Sequence, residues 1–197
     1  MTQLPLCIET IRFENGQFWN IEYHNDRLNS TRQMLYQSLE KWDLAELIVP
    51  PSHTQAGVFK CRVTYGQVLE KIEFEPYQPR LIKSLKLVEA NDLSYGFKYA
   101  SRQSLNALFA QRGPADDVLI VKNGFITDTS YANVAFFENG QWLTPALPLL
   151  AGTRRAQLLR EGAILEKQIR VQELSNFSRT RIFNAMIDFE IATEVVR

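Results

Sequence analysis

Cysteine, histidine and unbalanced charge are what this chain has least of. Cys7 and Cys61 stand alone, 54 positions apart and without metal-ligand spacing, which excludes a disulfide framework and a cysteine-based metal site. Two reduced thiols in a cytoplasmic protein is the expectation. His24 and His53 are too few and too scattered for a metal centre or a histidine relay, and both are expected at the surface or in turns. Lys plus Arg and Asp plus Glu number 22 each, so no net field points towards nucleic acid or an anionic membrane. No apolar run reaches the roughly 18–20 residues that span a bilayer. Met1-Thr2-Gln3-Leu4-Pro5 offers no basic region followed by an apolar core, so no secretory signal is expected. Internal repeats, low-complexity segments and a disordered tail are also absent.

What is present suits a globular enzyme or binding protein. The 197 residues, 45% hydrophobic and 22% charged, can bury a substantial core in one large domain or two small ones. Cys7 to Phe13 alternates as a half-buried strand, Asn15-Gly16 turns, and Phe18 to Ile21 returns. From Tyr23 the period changes to that of a helix. Asn25 or Asp26 is its expected cap, and Leu28, Met34, Leu35 and Leu39 its inward face. Gly57 to Gly66 and Gln67 to Tyr77 alternate as a second hairpin, Ile72 and Phe74 facing one way and Lys71, Glu73 and Glu75 the other. Residues 1–82 thus read as a small α+β domain, 83–96 as a connection and 97–197 as a larger second domain.

A helix is expected from about Lys98 to Arg112, stopped by Gly113-Pro114. Asp117 to Lys122 is an apolar strand ending at Asn123-Gly124, the strongest hairpin signal in the chain. Phe125-Ile126 re-enters, and Thr127 to Asn133 then interrupts with small and polar residues before Val134 to Phe137. Polar groups inside a sheet need partners, so this bend is expected to face something polar. After Glu138-Asn139-Gly140 and the strand Gln141 to Pro145, a helix carrying Ala156, Leu158 and Leu159 follows Gly152-Thr153. Ile169 to Val171 reads as a strand, Glu173 to Phe177 as a short helix, and Arg181 to Met186 as a last strand running into a turn.

Three features bear on chemistry, each with a plainer alternative. Lys98, among Tyr95, Phe97 and Tyr99 at the start of an expected helix, has surroundings that favour a neutral, nucleophilic amine, against an exposed lysine reaching to water. Gly152-Thr153 before a helix suits a phosphate, against an ordinary threonine N-cap. Asp128 is a turn residue, an acceptor for backbone N–H groups, or a carboxylate that pairs a protonated ring nitrogen. Arg27, near the start of the first helix, is equally a solvated surface charge on local grounds.

The order of these features resembles the class IV family of pyridoxal-phosphate enzymes, which includes branched-chain aminotransferase, D-amino acid aminotransferase and aminodeoxychorismate lyase. Glu9-Thr10-Ile11-Arg12 is similar to that family's Glu-Thr-hydrophobic-Arg strand, and His24-Asn25-Asp26-Arg27-Leu28 to its His-x-x-Arg-Leu. Lys98 stands where the family keeps its Schiff-base lysine. Gly124 to Val134 resembles the Gly-x-hydrophobic-Thr-Glu-x-x-x-x-Asn-hydrophobic run, Thr144-Pro145 its Thr-Pro, and Leu149 to Arg154 its phosphate loop.

The resemblance implies a two-domain fold type IV, D-amino acid aminotransferase-like architecture, of α+β and α/β character, with 97–197 binding the cofactor. It implies pyridoxal 5′-phosphate on Lys98, which then serves as acid–base. Asp128 holds the ring nitrogen, and Asn133 is a further cofactor-binding residue. Leu149 packs on the ring, while Arg27, Gly152, Thr153 and the Asn184-Ala185 backbone hold the phosphate. Arg62 and Tyr131 are substrate candidates, Arg62 for a carboxylate, with a surface strand arginine as its alternative. The partners implied are a small-molecule amino substrate and a second copy of the chain in a homodimer, with no metal. Two departures stand out. Asp128 replaces the family's glutamate, and the chain begins near the strand bearing Glu9, so a shortened N-terminal domain lacking a hairpin is expected. Lys98-Tyr99-Ala100-Ser101-Arg102 and Phe183-Asn184-Ala185-Met186 look nearer the lyase than the branched-chain enzymes. A cofactor- or metabolite-binding protein without turnover is the alternative from another class, and a structural α+β protein without a cofactor is a third.

Overall fold

Three Asn-Gly pairs set three of the hairpins of this computed structural model, which describes residues 4–189 and 192–196. Asn15-Gly16, Asn123-Gly124 and Asn139-Gly140 all take positive φ at both positions, 49° and 82°, 53° and 78°, 49° and 83°. That is the mirror-image turn whose twist matches the flanking strands. Gly124 carries the test of this local rule. A methyl group there would meet nothing within 4 Å, so only the positive φ opposes a side chain. Gly124→Ala is therefore expected to destabilise the protein by about 1 kcal/mol through backbone strain alone, read as a small fall in melting temperature.

The chain divides into two units, Met1–Pro79 with Phe97–Ser101, and Arg80–Gly96 with Arg102–Arg197. In the first, β1 (Cys7–Glu14), β2 (Gln17–Phe18), α1 (Ile21–Tyr36), the short α2 (Leu44–Leu47), β3 (Val58–Tyr65) and β4 (Leu69–Pro76) follow the expected order. The strands form one antiparallel sheet in the order β2-β1-β3-β4. Alternation sends Cys7, Ile11 and Phe13 of β1 and Phe59, Cys61, Val63 and Tyr65 of β3 into a core shared with Leu28 and Tyr36 of α1.

The helix departs from expectation in phase. It begins at Ile21 after Asn20, which has φ 54° and no side-chain cap. Asn25 instead joins the chain near α2, its Nδ2 donating to Asp43 Oδ1 at 2.8 Å and its Oδ1 accepting from Leu44 N at 2.8 Å. Met34 is 64% exposed, because six residues from Leu28 turns it about 240° round the helix. Leu39, 86% exposed, lies beyond the helix altogether.

The stretch expected as a connection carries structure of its own. Residues 84–89 form β5 (Ser84–Glu89), which belongs to the second unit's sheet. Residues 97–101 return to the first unit, where Ile8 N donates to Lys98 O at 2.9 Å and Ala100 N to Leu6 O at 2.8 Å. This pairing displaces the start of the next helix. It spans only Gln103–Phe109 (α3), continued by a 3-10 turn over Ala110–Arg112, so Lys98 precedes the helix by five residues.

The second unit adds β6 (Asp117–Lys122), β7 (Phe125–Thr129), β8 (Asn133–Glu138), β9 (Gln141–Pro145), α4 (Thr153–Arg160), β10 (Leu165–Lys167), β11 (Arg179–Phe183) and β12 (Ala192–Val196). With β5 they make one eight-stranded sheet, ordered β10-β9-β8-β11-β12-β5-β6-β7. The sheet curls until residues just past β10 meet β7, Ile126 N donating to Ile169 O at 2.8 Å and Val171 N to Gly124 O at 3.1 Å. Ile169 to Val171, expected as a strand, contributes only this bridge.

Curling explains the unbroken apolar run of β6. Leu119 and Val121 face the interior with Val134, Phe136 and Ile182, while Val118 and Ile120 pack outside with Leu105 and Leu108 of α3. Ala135 and Phe183 pack outside with Leu158 of α4. A sheet covered on both faces reads as continuous hydrophobicity rather than alternation. No helix among the described residues is long and apolar enough to cross a membrane.

Candidate active site

In the first unit the chemistry gathers on the α1 side of the sheet. Glu9 occupies an inward position of β1, between Cys7 and Ile11, and is fully buried. Arg27 reaches it from α1 with a two-pronged contact, Nε to Oε1 at 2.9 Å and Nη2 to Oε2 at 2.6 Å. His24 lies one helical turn earlier on the same face, its Nδ1 2.6 Å from Glu9 Oε2. Burial alone would raise the Glu9 carboxyl, but the Arg27 charge and the His24 hydrogen bond outweigh it and hold the group at about 2. His24 is pushed down by burial, against the pull of Glu9 and with the charges of Arg27 and Lys98 adding to the push. It is therefore neutral near pH 7. An ionised carboxylate only accepts, so His24 Nδ1 carries the proton that it donates to Glu9.

This cluster corrects the surface placement expected for His24, which is 0% exposed. Glu9 and His24 are also site members that no local chemistry along the chain singles out. The signal was present as a carboxylate in the apolar phase of a strand and a histidine three positions before an arginine on one helix face. Lys98 belongs to the same unit, half-buried in the segment paired with β1, and its charge is felt at His24.

Arg62 lies on the opposite face of that sheet. It is paired across the strands with Thr10 and Glu73, and its buried Nε has no hydrogen-bond partner among the described residues. A buried donor left without a partner costs about 1–3 kcal/mol, which makes an incoming acceptor welcome there.

In the second unit the polar stretch after Phe125 is strand before it is bend. Thr127, Asp128 and Thr129 complete β7 and are all buried. Thr127 Oγ1 donates to Ile120 O at 2.8 Å. Thr129 Oγ1 accepts from Ala132 N at 3.0 Å and donates to Ala132 O at 3.1 Å, closing the turn into β8. The threonines thus satisfy the sheet internally, and Asp128 is what remains.

Asp128 is 5% exposed. Its Oδ1 accepts from Asn133 Nδ2 at 2.8 Å and its Oδ2 from Leu150 N at 3.0 Å. Burial is the dominant influence and raises the carboxyl to about 6, although the Leu150 and Asn133 hydrogen bonds and the Arg155 charge oppose it. A carboxylate raised on folding binds its proton more tightly in the folded state. Its contribution to stability is full below about 4 and declines as pH rises towards 6, the reverse of the Glu9 case.

Gly152, not Thr153, is the N-cap of α4, and Thr153 is the buried first residue of the helix. A Cβ on Gly152 would collide with Asn133 Oδ1, so only glycine fits beside that amide. First-turn amides of a helix suit an anion, and here the close backbone approach is built in. Leu149 packs with Leu93, Tyr95 and the α3 core. With Tyr95, Lys122, Phe125, Thr127 and Pro148 it also lines a cleft of about 530 Å³, within the size range of small-molecule sites.

Asn184 and Ala185 sit in the tight turn that follows β11, closed by reciprocal Asn184–Ile187 backbone bonds at 3.2 Å. Asn184 Nδ2 donates to Tyr131 O at 3.2 Å, which brings these two candidates together. The sequence candidates therefore fall into two sets. Arg27 and Lys98, with Arg62 across the sheet, belong to the first unit. Asp128, Asn133, Tyr131, Leu149, Gly152, Thr153, Asn184 and Ala185 belong to the second. Among the described residues no group of three or more His, Cys, Asp or Glu side chains is placed to hold a metal ion.

The family model "Amino-transferase class IV" matches residues 6–193. A crystal structure of a protein from Haemophilus somnus 129pt, provisionally named 4-amino-4-deoxychorismate lyase, is 34% identical. The similarity covers 95% of this chain and 98% of that one, with a TM-score of 0.86. A Schizosaccharomyces pombe protein, provisionally named aminodeoxychorismate lyase, is 32% identical over 181 residues, 86% of this chain and 73% of its own length. A hypothetical aminotransferase from Mycobacterium tuberculosis, solved in its PLP-bound form, shares the fold at 18% identity and a TM-score of 0.78. That match covers 97% of this chain and 80% of the other.

Proposed function

As the chain belongs to the class IV aminotransferase family, we propose that it is a pyridoxal-phosphate-dependent enzyme of the aminodeoxychorismate lyase type, acting on an amino-bearing carboxylate. The observation that carries this reading is the buried Glu9–His24–Arg27 cluster on the same unit as Lys98, with the Lys98 charge felt at His24. A charge anchored at that depth without a ligand would be an expensive way to hold two elements together. A planar, permanently charged guanidinium at that position has the geometry that suits a phosphate.

The donor set fits pyridoxal 5′-phosphate. When bound, the cofactor supplies an aldehyde for covalent attachment and a protonated ring that draws electrons from the bond broken at the substrate. Lys98 Nζ would be the amine that holds the cofactor, and the same amine would take up and return the proton at the substrate carbon. Asp128 holds the proton on the ring nitrogen. Asn133, Leu150 and the Leu149 N–H use three of the carboxylate's roughly four lone-pair positions, which leaves one for that partner. Arg27, the Gly152 and Thr153 amides, the Thr153 hydroxyl and the Asn184-Ala185 backbone hold the phosphate. Leu149 would pack on the ring and Tyr131 would meet the substrate, while Arg62, on the opposite face of the first unit's sheet from Glu9 and Arg27, is not part of this set. The reading takes the chain as a cytoplasmic homodimer with a small-molecule substrate.

Lyase chemistry is favoured over transamination by the relatives. Those at 32% and 34% identity both carry provisional aminodeoxychorismate lyase names. Purified protein supplied with pyridoxal phosphate and aminodeoxychorismate is expected to release 4-aminobenzoate and pyruvate, without amino-acid-dependent formation of pyridoxamine phosphate. Pyridoxamine phosphate formation with no 4-aminobenzoate would overturn the lyase assignment.

A further inference from the structure

We propose that Asn133 is a positioning residue that locks the Asp128 carboxylate and the Leu150–Gly152 loop into one unit, rather than a ligand of the cofactor. The inference rests on the reading of Asp128 as the ring-nitrogen carboxylate, and it deepens that reading.

The geometry leaves Asn133 little else to do. A side-chain amide has two N–H donors, and both are committed on Nδ2, one to Asp128 Oδ1 at 2.8 Å and one to Leu150 O at 3.0 Å. Two acceptors on one end fix the orientation of the amide, since turning it over would set its oxygen against two oxygens. The other end, Oδ1, lies where a side chain on Gly152 would have to go. Asn133 is itself 5% exposed. The same loop closes the ring from its side, because Leu150 N donates to Asp128 Oδ2 at 3.0 Å.

Asp128, Asn133 and Leu150 therefore form a closed cycle, carboxylate to amide to carbonyl and back through the Leu150 N–H. Gly152, two residues on, is the N-cap of α4. The carboxylate assigned to the ring nitrogen and the helix end assigned to the phosphate are thus spaced by one amide. That spacing bears directly on the departure from the family's glutamate. Asp128 is one methylene shorter, and a shorter arm needs a fixed base to keep its aim.

The test is a set of variants in the full chain. Asn133→Leu keeps the volume and removes both donors. Asp128, followed by carboxyl-carbon NMR, is expected to titrate about one pH unit higher than in the wild type, as a carboxylate does when it loses a hydrogen bond to its charged form. Arg155, the nearby charge acting on Asp128, is unchanged in this comparison. Binding of pyridoxal phosphate is expected to weaken about tenfold.

Gly152→Ala, which drives a methyl group into Asn133 Oδ1, is expected to lower the melting temperature clearly in the wild-type background. In Asn133→Ala, where the obstacle is gone, it should lower it much less. This second arm stands even if Asn133→Leu does not fold. The inference is overturned if folded Asn133→Leu leaves the Asp128 titration where it was, or if the Gly152→Ala cost is the same with and without Asn133. Covalent attachment of pyridoxal phosphate at Lys98 in the wild type is followed in parallel. Its absence counts against the cofactor reading, while the titration and the melting temperatures still decide the role of Asn133.

Discussion

Lys98→Ala is expected to fold as the wild type does and to lose at least about 10³-fold in turnover, the scale on which a positioned proton-transferring nucleophile contributes. Lys98 joins the sheet through its backbone, its carbonyl accepting from Ile8 N at 2.9 Å, and alanine preserves that bond. Removing the amine also removes a positive charge that weighs against protonation of His24, so the His24 carbon resonances should titrate slightly higher in the variant. Loss of turnover with an unchanged melting temperature assigns Lys98 to chemistry. Activity retained within a few-fold would exclude it.

Glu9→Ala is expected to act in the opposite way, on stability first. Glu9 receives three hydrogen bonds, two from Arg27 and one from His24, with its own side chain wholly buried. Truncation removes the acceptor that a buried imidazole and a mostly buried guanidinium share, a change that costs about 3–5 kcal/mol when one partner of a buried pair is removed.

The pH dependence carries the same signature. The Glu9 carboxyl is held at about 2 in the folded chain against an ordinary value of 4.5, so its contribution is full above about 4.5 and is lost as pH falls towards 2. His24, lowered by burial, begins the acid limb earlier, because unfolding lets it take up a proton below its ordinary 6.5. Melting temperature against pH should therefore fall on the acid side in the wild type and flatten over the window from about 4.5 to 2 in Glu9→Gln. An acid limb of the same depth in both proteins would remove Glu9 from the stability of the fold.

The hairpins and the doubly covered strand could be read directly, because their causes are local. Asn123-Gly124 needs no distant partner to adopt its turn, and Val118 to Val121 is apolar at every position. The order of the site blocks was equally readable, since it depends on residue types along the chain. What could not be read depends on pairing between distant segments. The period of Leu105 and Leu108 extends a helix back to Lys98, but pairing of the segment around Lys98 with the start of β1 holds it extended. Nothing near His24 in the chain needs it, whereas Glu9, 15 positions earlier, does. Asn133 looked like one more polar group facing a ligand until the loop at Leu150 supplied its second acceptor. β12, of which only Thr193 among residues 193–196 is buried, carried too short and mixed a pattern to be noticed.

The most direct measurement is to incubate the full chain with pyridoxal phosphate, reduce it with borohydride and map the modified peptides by mass spectrometry. Covalent label on the peptide bearing Lys98, lost in Lys98→Ala, is the result expected. Label absent from that peptide, or spread over surface lysines to the same extent in both proteins, would contradict a cofactor-dependent role for Lys98.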